Sequence, residues 1–180
     1  MRADARKNHD ALLEAAAAVF ADQGADASLR VIARRADVGL ATLLRNFPTR
    51  DALLEVLLRN GFTELATQGQ ALMTAADPRA ALLIWLRQFV ESADVYGGVV
   101  EVMAAAIENP DSALHAACVE MRASGAHLLA RAQQAGVARS DLDGADLFLL
   151  AAGFAWTRGQ ASSPARREHI LDVQLASLVT

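Results

Sequence analysis

The sequence predicts an all-α fold of about nine helices, and three observations carry that expectation. Alanine, leucine and arginine dominate a 180-residue chain whose apolar fraction is 53%, and these residues give up little on entering a helix. Only four prolines are present, and β-branched runs are few. Apolar residues recur at helical spacing between recognisable start and stop signals. A chain of this length can bury a sizeable core without disulfides or metal.

Residues about 3–23 set Leu13, Ala16, Ala17 and Phe20 at helical spacing, and Gly24 stands where a glycine closes a helix. Ser28 offers an N-cap for a short helix over about 29–36, with Val31, Ile32 and Ala36 as its buried face. Asp37-Val38-Gly39 breaks that pattern. Another short helix, about 40–46, ends at Phe47-Pro48, because the residue before a proline is driven out of the helical region. Thr49 caps a longer helix over about 50–73, with Leu53, Leu54, Leu57, Leu58 and Phe62 in series. Asp77-Pro78 is a cap followed by proline at the first helical position. Leu82, Trp85, Leu86, Phe89, Ala93 and Tyr96 then form a stripe, which Gly97-Gly98 is expected to stop. A short apolar helix over about 99–107 ends near Asn109-Pro110. A long one over about 112–135 aligns Leu114, Cys118, Met121, Gly125, Leu128 and Ala132 on one face before Gly136. The helix opened by Asp143 is apolar nearly all round, from Leu147 to Trp156, and must be covered on more than one side. Ser163-Pro164 starts the last helix, which carries Ile170, Leu171, Val173, Leu175, Leu178 and Val179 on a broad face.

Charge is unevenly spread. The formal net charge is −4, which read whole argues against a nucleic-acid partner. Residues 1–60, however, hold nine Lys/Arg against eight Asp/Glu, and the remainder eight against thirteen. Only the N-terminal third could approach phosphate without repulsion. A single cysteine, Cys118, excludes an internal disulfide framework. With a polar, basic start and no apolar run of spanning length, no membrane partner and a cytoplasmic location are expected. There is no internal repeat, low-complexity tract or disordered tail.

The functional stretch is Ser28 to Phe47, SLRVIARRADVGLATLLRNF. Two short helices joined by a tight turn have helix-turn-helix spacing. The turn needs a residue tolerant of positive φ, and Asp37 is among the few non-glycines that are. Val38 would plug the angle between the helices. The second helix is too short to stand alone. Held against a scaffold with its N-terminus outward, it suits the major groove.

In these residues the chain resembles the tetracycline-repressor (TetR/AcrR) family. The matching pieces are LLEAAAAVFADQGADASL for a supporting helix and VIARRADVGLATLLRNFPTRDALL for the motif and the following helix, over about the first 58 residues. The resemblance implies a nine-helix protomer in a homodimer, operator reading by the third helix, and an effector pocket in a C-terminal domain. The implied division is a DNA-binding domain over 1–48, with its motif at about 28–47, and an effector-binding and dimerisation domain over 49–180. Carried over, Ser28 and Thr42 would contact phosphate. Gly39, Leu40, Ala41 and Arg45 would face the groove, and Arg50 takes the place of a phosphate-binding lysine. Arg45 is able to read guanine bidentately. Departures are Gly39 for a serine or threonine, Ala41 for glycine, Leu44 for tyrosine and Asn46 for histidine. Losing the tyrosine removes a phosphate contact, so base reading should lean on Arg45, Asn46 and an arm of Arg2, Arg6 and Lys7.

The expected function is therefore a regulator, a repressor released from double-stranded operator DNA by a small hydrophobic or aromatic effector. Trp85, Phe89, Tyr96, Cys118, Met121, Phe154 and Trp156 are expected to turn inward and line the effector site, with Gly125 leaving space beside them. Simple core packing is the competing reading of each. The last two helices carry more apolar surface than one protomer can cover, Leu175 and Leu178 included, and should pair as a four-helix bundle across a two-fold axis. No cofactor or metal is expected. His115 and Cys118 lie three apart but lack a third ligand at fitting spacing, and read as a partly buried histidine beside a core thiol. His9, His127 and His169 read as surface residues, and Arg34 and Arg35 as a solvated helix face. Two alternatives are a helical-bundle enzyme and a ligand-independent DNA-binding protein. The first lacks an inward Glu-x-x-His pair, a nucleophile elbow and a phosphate loop. The large acidic C-terminal part, with aromatics in its stripes, disfavours the second.

Overall fold

A computed structural model describes the backbone of residues 2–180 and the side chains of residues 7–93 and 103–180. Among the described residues there are nine helices: α1 (Arg2–Gln23), α2 (Leu29–Arg35), α3 (Leu40–Asn46), α4 (Arg50–Leu72), α5 (Pro78–Val102), α6 (Ala104–Glu108), α7 (Ala113–Gln134), α8 (Gly144–Gly159) and α9 (Pro164–Ala176). Local chemistry sets most of the boundaries. Ser28, Thr49, Ser112, Asp143 and Ser163 each cap a helix by accepting a backbone N–H with the side chain. Asp143 and Asp146 form a reciprocal capping box. Gly24 and Gly136 take positive φ after α1 and α7, as closing glycines do.

Two apolar cores result. The N-terminal core joins Leu12, Ala16, Val19 and Phe20 of α1 to Ile32, Leu43, Phe47 and the first half of α4. Met103 and Leu114 also belong to it. The second core joins the rest of α4 to α5, α7, α8 and α9, with Trp85, Leu86, Met121 and Leu128 deeply buried. Phe62 and Ile107 pack against both. The most extensive helix–helix contact is between α4 and α7. Arg131 of α7 reinforces it by donating to the carbonyls of Leu72 (3.3 Å) and Ala75 after α4. An antiparallel bridge between Ala138 and Val179 ties the last residues to the α7–α8 loop.

Four expectations need correction. Helix α5 does not stop at Gly97-Gly98 but runs to Val102, and α6 is correspondingly shorter. Glycine in a helix costs about 1 kcal/mol against alanine but ends it only where the backbone turns left-handed, and α5 runs helical through both glycines. The buried face of α1 centres on Leu12, Ala15, Ala16, Val19 and Phe20, whereas Leu13 and Ala17 are half-buried. In α2, Ala33 is buried beside Ile32, while Val31 and Ala36 are half-buried. Leu175 and Leu178 lie within the protomer's own core. The large apolar side chains that α8 and α9 leave exposed are Leu149, Trp156 and Val173.

Candidate nucleic-acid interface

Helices α2 and α3 meet through a turn whose hydrogen bonds explain its residues. Ser28 Oγ accepts from the Arg30 N–H at 3.3 Å and starts α2. At the other end Asp37 stands at φ 54°. Its N–H donates to the Arg34 carbonyl (3.2 Å) and that of Val38 to the Ala33 carbonyl (3.0 Å). That pair of bonds closes a helix through one left-handed residue. Val38, half-buried, packs on the N-terminal core. Helix α3 then hangs on one fully buried side chain, Leu43.

The rest of α3 is turned outward. Gly39, Ala41, Leu44, Arg45 and Asn46 are exposed, with Leu40 and Thr42 half-buried. Arg45 Nη2 donates to Thr42 Oγ1 at 2.8 Å, and Asn46 Nδ2 to the Thr42 carbonyl at 2.8 Å. Thr42 thus steadies both polar side chains of the helix. Arg50, half-buried at the start of α4, pairs with Asp26 at 3.3 Å. Arg35 pairs loosely with Asp22 (3.7 Å), and Arg34 is exposed. His9 is half-buried, not on the surface as expected, with its ring stacked on Phe47 at 5.0 Å. Sequence reasoning missed this contact, for which the only signal is an aromatic pair far apart in the chain. Lys7 is exposed, while the Arg2 and Arg6 side chains lie outside the described residues.

A family model described as "Bacterial regulatory proteins, tetR family" matches residues 12–57. A second, "Transcriptional regulator SbtR-like, C-terminal domain", matches residues 77–179. The structure of a TetR transcriptional regulator from Streptomyces coelicolor is 35% identical, with 94% of this chain and 97% of that one covered at a TM-score of 0.73. This chain belongs to the TetR family. A TetR regulatory protein from Mycobacterium vanbaalenii is similar at 30% identity, with 99% of both chains covered and a TM-score of 0.72. A TetR-like regulator from Mycobacterium smegmatis, solved in complex with proflavine, shares the fold at 20% identity, 97% and 98% coverage and a TM-score of 0.72. No curated protein matches the chain. As a TetR-family member it is a DNA-binding transcriptional regulator rather than a helical-bundle enzyme.

Of the side chains expected to line an effector site, Trp85, Phe89, Cys118, Met121 and Phe154 come together in the second core. Trp85 and Phe89 rings lie 5.7 Å apart, and Phe148 meets Phe89 edge-on at 5.6 Å. Arg122 covers the Phe148 ring at 4.0 Å. Trp156 does not join them, being 71% exposed on α8, and the Tyr96 side chain lies outside the described residues. Nor does Gly125 leave open space, because a Cβ there would stand 2.5 Å from Trp85 Cη2. The indole fills the notch, and its Nε1–H donates to the Leu65 carbonyl at 2.9 Å. Burial pushes the Cys118 thiol up, against an opposing pull from Arg122. His115 Nδ1 lies 2.7 Å from the Ile107 carbonyl. No group of three or more potential ligands that could hold a metal occurs among the described residues. A separate groove of about 440 Å³ lies between α5 and α9, lined by Arg79, Ile84, Gln88, Glu91 and Asp172 among others. It includes none of the expected pocket residues. Among the described residues no helix is long and apolar enough to cross a membrane.

Proposed function

We propose that this TetR-family regulator is a repressor that grips a two-fold operator as a homodimer and releases it when a small hydrophobic or aromatic effector enters its C-terminal core. The observation that carries the DNA half is the outward edge of α3, where only Leu43 is buried and Arg45 is steadied by Thr42. In this reading Ser28, Thr42 and Arg50 hold phosphates. Gly39, Leu40, Ala41, Leu44, Arg45 and Asn46 face the major groove, and Arg45 reads guanine. Arg50 would exchange its exposed Asp26 partner for a phosphate, a small loss for a surface pair. The proposed division into 1–48 and 49–180 follows the end of the helix-turn-helix motif, while the N-terminal core itself reaches past it to Leu53, Leu54, Leu57, Leu58, Met103 and Leu114.

The effector half rests on the aromatic cluster in the second core. Proflavine, held by a relative of the same fold, is the kind of flat apolar molecule that such walls accept. Since the Trp85 indole fills the notch at Gly125, an entering effector must displace it. Binding should therefore change Trp85 fluorescence and add about 2.7 kcal/mol of stability at a hundredfold excess over Kd.

DNA binding by the purified protein tests the proposal. Affinity should fall steeply with salt as phosphate contacts release counterions. Arg45→Ala should cost about 1–3 kcal/mol on a selected operator and little on random DNA. Equal losses on both would reduce Arg45 to a phosphate contact. An effector that raises the melting temperature without releasing DNA would overturn the release mechanism, leaving a ligand-independent binder.

A further inference from the structure

We propose that Leu44, flanked by Ala41, reads the methyl group of a thymine next to the base that Arg45 contacts, so that each operator half-site needs a thymine there. The proposal rests on the reading that α3 enters the major groove.

Helix α3 divides into two neighbouring stripes. Thr42, Arg45 and Asn46, at i, i+3 and i+4, form a polar stripe bound together by the two 2.8 Å hydrogen bonds through Thr42. Ala41 and Leu44, three apart, form an apolar stripe beside it. Both are exposed, Leu44 at 40%, while Leu40 one turn earlier leans back onto the N-terminal core. A large apolar side chain beside two polar ones that reach outward needs a partner without hydrogen-bonding demands. Neither the Leu44 nor the Ala41 side chain can hold a phosphate, since neither carries a donor. Among base edges in the major groove, the apolar group on display is the thymine C5 methyl. A leucine set beside an arginine suits a thymine next to a guanine, and it discriminates against cytosine, which lacks the methyl.

Uracil substitution tests this directly. An operator is first selected from random duplexes with the full-length protein. Each thymine is then replaced singly by deoxyuridine, which removes the methyl and leaves pairing intact. One thymine per half-site should weaken binding about fourfold, the worth of one buried methyl-sized group, and changing both half-sites should multiply the losses. With Leu44→Ala the thymine and uracil operators should bind equally, and Leu44→Met should restore the difference. Melting temperatures equal to the parent's would show both variants folded, as the exposed site implies. Absence of any uracil-sensitive thymine, or a difference that survives Leu44→Ala, would overturn the proposal. So would a Leu44→Ala loss that is uniform over all substituted operators, which marks a sugar contact. If Arg45→Ala also leaves every base preference unchanged, the failure is that of α3 as the reading helix. If Arg45→Ala alone alters a guanine preference, only the thymine reading fails.

Discussion

Asp37 carries the angle between α2 and α3 on one backbone torsion. At φ 54° a β-branched side chain is strained, because its Cβ crowds the neighbouring carbonyl, at a cost of about 1–2 kcal/mol. Asp37→Val should lower the unfolding free energy by that amount and weaken operator binding, while Asp37→Gly should keep both. Equal stability of Asp37→Val and Asp37→Gly in chemical unfolding would contradict this account of the turn. Gly125 makes a second demand. A methyl there would press on the Trp85 ring, which is boxed in by its bond to the Leu65 carbonyl. Gly125→Ala should destabilise by about 1–3 kcal/mol and shift Trp85 emission. A parent-like melting temperature with unshifted emission would show that the indole yields freely.

At the scale of the element, α8 depends on its start. Asp143 accepts from the Ala145 and Asp146 N–H groups at 2.8 and 2.9 Å, so Asp143→Ala should cost about 1 kcal/mol, measurable in urea. The same helix shows where sequence reading stops. The ends of α2 and the start of α4 were legible because Ser28, left-handed Asp37 and Thr49 mark them. The end of α3 was legible because Pro48 follows Phe47, and the outward residues of α3 followed from these boundaries. The end of α5 was not, since two glycines resemble a stop and only the path of the backbone reveals otherwise. In α8 apolar residues surround the helix, so periodicity could not say which face turns inward. Phe154 went to the core and Trp156, two residues on, to the outside. His9 against Phe47 was equally illegible, being a contact between distant segments.

For the whole molecule, α8 leaves Ala145, Leu149, Ala152, Gly153 and Trp156 exposed along one side, and α9 adds Val173. Leu149 at 69% and Trp156 at 71% exposure form an apolar surface suited to a two-fold partner. Leu149→Asp or Trp156→Asp should give folded monomers with lost operator affinity. Charging Leu175 or Leu178 should instead unfold the protomer, since both are core. Native mass spectra and melting curves distinguish the two cases. Phe62 and Ile107, which touch both cores, lie where an effector signal would cross to the DNA-binding helices. The most direct measurement is selection of random duplex DNA by the purified protein, followed by affinity against salt for parent and Arg45→Ala. Enrichment of a near-palindrome bound by a dimer, with a steep salt slope and an Arg45→Ala loss confined to that site, is the expected result. Failure to enrich any sequence, or equal binding of the selected and random duplexes, would contradict it.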